Sequence, residues 1–379
     1  MKNLWIWVAV IIVAVGYVIV NKGKAPSLDA NAAPIKIGIA TILSGDLAVA
    51  GENMVNAANL TIDDVNKAGG VNGRPLALTI EDAKCDSKTG LAAVTKLVTV
   101  DGIRYIVGGM CSNGTIAAAP VANENKAIVM TPVTGGSNVD AAGDYIFRTA
   151  NSDILAGRDI ANAMLKMGYK KVASVSEVTE YTLDIAKSFK ETVVKGGGTV
   201  AVDEQFQPGT SDFRTIIAKL KAQDADAILI ASQTGLSAGN FMKQLKEQKL
   251  DKPLFSDFTL ALNGDAKKLV GSFEGLYFAD PAYEGESAAW KGFLAEYKAK
   301  YGKDPLIAFH AAATHDAIMM MVAGLRAEGD DSAKVKDWLL ANVKKWTGLM
   351  GTFSLDANGN SDLGFVIKQI KNDVPVPVN

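Results

Sequence analysis

The stretch Glu81-Asp82-Ala83-Lys84-Cys85-Asp86, an amphipathic run from Ser87 to Val100, and then Tyr105-Ile106-Val107-Gly108-Gly109-Met110-Cys111-Ser112-Asn113-Gly114-Thr115 decides how the chain folds. Leu76 to Glu81 and Tyr105 to Val107 read as buried strands, and the run between them reads as a helix. Strands joined by a helical crossover are parallel and end at the same sheet edge, so the loops carrying Cys85 and Cys111 are neighbours. A disulfide between them needs no distortion of the backbone and closes a loop worth roughly 3 kcal/mol in the chain-entropy account. Two free thiols or a metal site are the alternatives. With no other cysteine and only His310 and His315 in the chain, metal has little support, and the disulfide is the favoured reading.

Outward from this unit the same rhythm continues. Ile35–Ala40 and Ala127–Met130 complete a first strand series, with helices over about 48–67, 87–100 and 115–125. A second series follows in Lys171–Ser176, Thr199–Phe206, Ala227–Ile230 and Pro253–Phe255, separated by helices near 153–167, 183–195, 212–222 and 238–248. Two βα series of similar size predict an α/β protein of two doubly wound lobes, with a ligand crevice where the carboxyl ends of their strands meet. The body of about 345 residues also exceeds what one hydrophobic core usually serves. Lys and Arg (39) nearly balance Asp and Glu (41), and no basic block occurs, which argues against a nucleic-acid partner.

Ahead of the body, Met1-Lys2-Asn3 precedes the uncharged run Leu4–Val20, with Trp5, Trp7 and Tyr17 inside it. As a helix this run spans about 25 Å, slightly short of a bilayer core but longer than most signal-peptide apolar regions. The small-residue site Ala30-Asn31-Ala32 lies well beyond it, after Lys22 and Lys24. The reading is an export segment, residues 4–20, retained as an anchor within an N-terminal unit 1–33, with the body outside the cytoplasm.

Several segments carry a family resemblance: Ile37-Gly38-Ile39 with Leu43-Ser44-Gly45, Ile62-Asp63-Asp64-Val65-Asn66-Lys67-Ala68-Gly69-Gly70-Val71-Asn72-Gly73, Cys85-Asp86 with Cys111-Ser112, and Thr131-Pro132. Weaker matches are Phe147-Arg148-Thr149, Phe213, Phe273-Glu274-Gly275-Leu276 and Asp356-Ala357-Asn358-Gly359. From about Ile35 to Ile370 the chain resembles the type I periplasmic solute-binding proteins of ABC transporters, of the leucine/isoleucine/valine-binding kind. The resemblance implies three crossings between lobes, placed near Asn151, Pro281 and Gly351. Lobe 1 is then 34–151 plus 282–350, and lobe 2 is 152–281 plus 351–379.

It also implies a site. Ser112, with Asn113 beside it at the start of a helix, matches the serine that holds a ligand carboxylate; a plain helix N-cap is the alternative. Val133 matches a carbonyl that receives the ligand ammonium. Gly135 stands where the family has a threonine, with Thr134 one residue earlier as its substitute; otherwise the backbone of Gly135-Gly136 takes over, or the loop touches no ligand. Tyr181 matches the aromatic residue that covers the ligand after closure, and an exposed loop tyrosine is the alternative. Phe258 falls at the family's ammonium-binding glutamate with Asp257 adjacent, so either Asp257 replaces it or the ligand lacks an ammonium. Gln233 and, on the rim, Ser44 complete the set.

These residues imply a non-enzymatic receptor that needs no cofactor. It closes over a small polar solute, branched-chain amino acids by family default, and delivers it to a permease with its ATPases. Receptors for amides, urea-like solutes or small carboxylates, a sensory ectodomain, and a purely structural role stay open at this level. The chain lacks a P-loop and a His-Glu-x-x-His pair, and His310 and His315 read as residues of an apolar core helix.

Overall fold

The computed structural model describes residues 28–378 except Ala30, residues 45–47 and Met110; the anchor run Leu4–Val20 lies outside them. The chain opens with β1 (Ile35–Thr41), α1 (Ala48–Lys67), β2 (Leu76–Asp82), α2 (Ser87–Thr95, extended by a π turn Lys96–Val100), β3 (Tyr105–Gly108), α3 (Ser112–Glu124), β4 (Ile128–Thr131) and β5 (Ile146–Arg148). These strands form a parallel sheet in the order β2-β1-β3-β4-β5. The order reverses between β1 and β3, which puts the loops after those strands on the two sides of a switch-point crevice.

The second sheet follows: α4 (Asp153–Lys166), β6 (Lys171–Glu177), α5 (Glu180–Lys195), β7 (Thr199–Phe206), α6 (Arg214–Gln223), β8 (Ala227–Ala231), α7 (Gly235–Glu247), β9 (Leu254–Asp257), α8 (Phe258–Ala261), α9 (Gly264–Val270) and β10 (Tyr277–Pro281). The chain then contributes α10 (Ala288–Tyr301), α11 (Ala308–Glu328), α12 (Ser332–Asn342) and the hairpin β11 (Trp346–Gly348) and β12 (Gly351–Phe353) before ending in β13 (Phe365–Lys371) and β14 (Val374–Pro377). The second sheet runs β14-β13-β10-β9-β8-β6-β7, with β13 antiparallel to both its neighbours and the other pairings parallel.

Local chemistry sets these elements. Asp86 caps α2 by accepting from the Thr89 amide at 2.8 Å, and Ser287 caps α10 in the same way from Trp290 at 3.1 Å. Gly302 ends α10 in the left-handed region with φ 73°, which glycine adopts without a Cβ penalty. α11 is apolar nearly all round because it is buried nearly all round, packing with α1 in the first lobe's core.

The third crossing lies elsewhere than the sequence predicts. Gly351, with φ 102°, opens β12 of a hairpin, and Phe353 and Leu355 are buried in the core of the first lobe. Buried Asp316 of α11 fastens this hairpin by accepting from the Leu349 and Met350 amides, each at 2.8 Å. The glycine serves a tight turn and not a hinge, and the chain passes to the second sheet only between Ser361 and Phe365. There the three connections run side by side. Ser361 donates its amide to the Arg148 carbonyl (2.9 Å) and its hydroxyl to those of Thr149 (3.2 Å) and Ala150 (3.0 Å). Asn151 Nδ2 and the Ala282 amide both donate to the Gly364 carbonyl. The short strand β5 and the strands β10, β13 and β14 are elements that periodicity alone did not separate from their loops.

Candidate functional site

The site lies where loops after β3, β4, β6, β8 and β9 face one another above the hinge. Cys85 and Cys111 are disulfide-bonded with Cα atoms 5.4 Å apart, which ties the loop after β2 to the start of α3. Cys111 is the N-cap of α3, so Ser112 is the first helical residue and not the cap. Its hydroxyl instead accepts the Gly136 amide at 3.2 Å, across from the loop after β4. Asn113 is occupied locally: Nδ2 donates to the Cys85 carbonyl at 3.4 Å and Oδ1 accepts from the Gly114 amide at 2.8 Å.

The loop after β4 departs from its expected use at one point. Thr134 is buried, its hydroxyl donating to the Gly109 carbonyl and lying 3.3 Å from the Thr115 hydroxyl, so it braces the first lobe and does not substitute for a ligand-facing threonine. Gly135 is a glycine for a steric reason. A Cβ there would sit 2.0 Å from Asp153 Oδ1 and 2.9 Å from the Asn151 carbonyl oxygen. Buried Arg148 holds this loop from behind by donating to the carbonyls of Gly135 (3.1 Å) and Gly136 (3.3 Å). Val133 is half-buried against the first lobe's core, and Ser44 stays exposed on the rim with its hydroxyl on Asp82 at 2.7 Å.

From the second lobe, the Tyr181 hydroxyl donates to Asp257 Oδ1 at 2.9 Å and lies 3.0 Å from the Thr259 hydroxyl. Asp257 also accepts the Thr259 amide at 2.8 Å as the N-cap of α8. Its other oxygen, Oδ2, is buried without a hydrogen-bond partner among the described residues. Burial raises the Asp257 carboxyl above its ordinary pKa, against the hydrogen bonds from Tyr181 and Thr259. Gln233 reaches across the seam, its Nε2 lying 3.5 Å from Cys85 Sγ and 3.9 Å from Cys111 Sγ.

Three residues here had no role assigned from sequence. Asp153 begins α4 directly after the first crossing, is 3 % exposed, and keeps Oδ2 unpaired. Burial pushes its carboxyl well up; Arg148 opposes, while Asp184, Asp257 and Asp140 add to the rise. An acid in the first turn of a helix just past Phe147-Arg148-Thr149 was the available signal. Glu177, at the end of β6, is fully buried and accepts from Ser232 Oγ (3.1 Å), the Gln233 amide (2.7 Å), the Thr234 amide (2.8 Å) and the Thr234 hydroxyl, which fixes the loop that aims Gln233. His310 belongs to the seam, with its ring 6.5 Å from that of Phe258 on the opposite lobe.

The lobes touch directly: the Ser137 amide of the first donates to Asp184 Oδ2 of the second at 2.6 Å. The arrangement therefore brings together a helix start suited to a carboxylate and a buried carboxylate suited to a cation, the latter held by a tyrosine of its own lobe.

Comparison with known proteins agrees with this geometry. A family profile for periplasmic binding proteins matches residues 34–373. A Leu/Ile/Val-binding protein of Citrobacter freundii is 29 % identical over 334 residues, covering 87 % of this chain and 89 % of that protein. A leucine-, isoleucine-, valine-, threonine- and alanine-binding protein of Pseudomonas aeruginosa is 30 % identical over 82 % of this chain and 83 % of its own length. The branched-chain amino acid substrate-binding protein LivJ of Streptococcus pneumoniae, solved with isoleucine, superposes with a TM-score of 0.79 at 27 % identity over 91 % of this chain and 99 % of that one. A Rhodopseudomonas palustris solute-binding protein solved with 4-hydroxybenzoate shares the fold at TM-score 0.81 and 21 % identity, covering 92 % and 96 % of the two chains. On its fold, its crevice and this coverage, the chain belongs to the type I periplasmic binding proteins of the Leu/Ile/Val-binding family.

Proposed function

We propose that this chain is the extracytoplasmic solute-binding component of an ABC transporter, taking an α-amino acid of the branched-chain class between its lobes. In this reading the ligand carboxylate sits at Ser112 and the amides of the Gly135-Gly136 loop. Its ammonium lies between the Val133 carbonyl and Asp257, and Tyr181 closes over it. The closed form is presented to a membrane permease with cytoplasmic ATPases, and the run Leu4–Val20 tethers the receptor nearby.

The observation that carries the reading is Asp257: a buried carboxylate with one oxygen satisfied by Tyr181 and Thr259 and the other without a partner. A buried anion in that condition is strongly unfavourable unless a cation meets it, which favours an ammonium-bearing ligand over a benzoate-like acid. The test is thermal unfolding of the full-length protein in mild detergent with leucine, isoleucine or valine, against 4-methylpentanoate and 3-methylbutylamine, which lack the ammonium and the carboxylate respectively. Mass action raises stability by about 2.7 kcal/mol at a hundredfold excess over Kd. A shift for the amino acids alone, lost in Asp257→Asn, is expected; a shift with 4-methylpentanoate that survives Asp257→Asn would remove the ammonium role.

A further inference from the structure

His310 stands out among the buried polar groups outside the clamp. It lies in the first turn of α11, is 3 % exposed, and neither Nδ1 nor Nε2 has a hydrogen-bond partner among the described residues. A core histidine is ordinarily satisfied by backbone or side-chain partners, so two unpaired nitrogens on one buried ring are unusual. Nor is the ring enclosed by its own lobe alone. Phe309 packs beside it with centroids 5.5 Å apart, and Phe258 of the opposite lobe meets it edge-on at 6.5 Å and 89°. Phe258 also meets Phe309 at 6.1 Å, and it directly follows Asp257. The imidazole therefore sits at the seam between the lobes, across from the residue adjoining the proposed ammonium partner.

Building on the α-amino-acid part of the reading above, and replacing its branched-chain side chain, we infer that His310 is a specificity-determining residue that selects a ligand whose side chain carries an uncharged hydrogen-bonding group. A hydroxyl or carboxamide engages the imidazole, while Phe258 and Phe309 pack against the aliphatic part. Burial without a partner lowers the imidazole pKa to about 3, so the ring is neutral and offers one donor and one acceptor. A hydroxyl or a carboxamide can both donate and accept, and so can pair with either nitrogen in either tautomer. A plain aliphatic side chain leaves both nitrogens dry and unpaired. Sites built to hydrogen-bond a polar group discriminate strongly against the analogue that lacks it. The Thr314 hydroxyl, also buried and unpartnered, lies one helical turn along from His310 and extends the same polar stripe.

The experiment measures Kd by calorimetry on the full-length protein for three pairs matched in size: threonine and valine, asparagine and leucine, glutamine and methionine. For at least one pair the polar member is expected to bind about tenfold or more tightly than its apolar counterpart, the scale of one hydrogen bond in a desolvated site. His310→Phe should erase or invert that ratio while the apolar member binds as well as before or better. His310→Gln keeps hydrogen-bonding capacity and should retain part of the preference, which guards against a fold defect in the phenylalanine variant. Apolar members winning every pair in the wild type, or a ratio unchanged in His310→Phe, overturns the role of His310 and leaves the amino-acid receptor intact. Failure of every amino acid to bind overturns both readings.

Discussion

Gly135→Thr restores the residue type that the family pattern calls for, so a reading from sequence expects better ligand binding. The geometry expects the opposite. A Cβ at this position falls 2.0 Å from Asp153 Oδ1 and 2.9 Å from the Asn151 carbonyl oxygen, where ordinary contact begins at 3.4 Å. The carboxylate must therefore retreat by more than an ångström, and it has nowhere easy to go. Asp153 is 3 % exposed, its amide is held by the Gly135 carbonyl at 2.8 Å, and Arg148 pins the same carbonyl at 3.1 Å. Overpacking of this kind costs about 1–3 kcal/mol, and threonine's additional branch atoms add to the crowding. Because the strained loop is the proposed carboxylate clamp, ligand affinity should fall about tenfold or more. Thermal unfolding and calorimetry on wild type, Gly135→Thr, Asp153→Ala and the double variant measure the coupling. The double variant should recover much of the Tm lost in Gly135→Thr, since removing the carboxylate vacates the space. An unchanged Tm together with tighter binding in Gly135→Thr alone would show that the loop yields freely and refute the steric account.

Further outcomes follow from the same coordinates. The folded-state pKa of Asp257 is raised, so the native form holds its proton more tightly than the unfolded chain, and stability declines as pH rises from the ordinary carboxylate range through the raised value. Ammonium binding needs the ionised form, so affinity should weaken on acidification through that window, with protons released on binding in calorimetry across buffers of different ionisation enthalpy; proton uptake contradicts it. His310 acts in the other sense: its pKa falls from 6.5 to about 3, so its contribution is present above the unfolded value and is lost as pH drops between those limits. Denaturant midpoints that decline less steeply over that range in His310→Phe than in wild type are the expected result. Replacing both Cys85 and Cys111 by serine should cost about 3 kcal/mol for a bridge of sequence separation 26, read from chemical denaturation. Glu177→Ala strips the loop 232–234 of its common acceptor and should destabilise the protein by about 2–4 kcal/mol, since buried donors lose their partner.

The alternation of short apolar and longer amphipathic runs carried the two βα series, because a parallel strand buried on both faces must be continuously apolar and its crossover helix must be amphipathic. The cysteine pair was legible for the same reason: topology puts the ends of β2 and β3 at one edge. What sequence could not supply was the direction of side chains on irregular backbone. Thr134 and Gly135 differ by one residue, yet one braces the first lobe and the other yields its space to Asp153. The resemblance placed a crossing near Gly351, but pairing with Trp346–Gly348 puts that glycine in a hairpin turn. His310 was read as core from its apolar helix, and it is indeed buried; what no periodicity reveals is that the opposite lobe takes part in the burying.

That distinction bears on how closure is made conditional on the ligand. Asp257 Oδ2, Asp153 Oδ2 and both nitrogens of His310 are withdrawn from water and have no partner among the described residues, and His310 meets a ring of the opposite lobe. Away from the hinge, contacts between the lobes among the described residues include the Ser137 amide on Asp184, Gln233 against the disulfide, and the aromatic edge of Phe258. Against these desolvated polar groups they are weak, because a buried polar group left without a partner costs about as much as one or two hydrogen bonds return. In the proposed reading, a ligand bearing an ammonium reverses the balance by pairing with Asp257. Its differential affinity for the closed form is what moves the equilibrium. The same reasoning explains why a polar crevice serves a receptor better than a well-packed apolar one: complementary apolar faces would close by themselves and leave the solute nothing to switch.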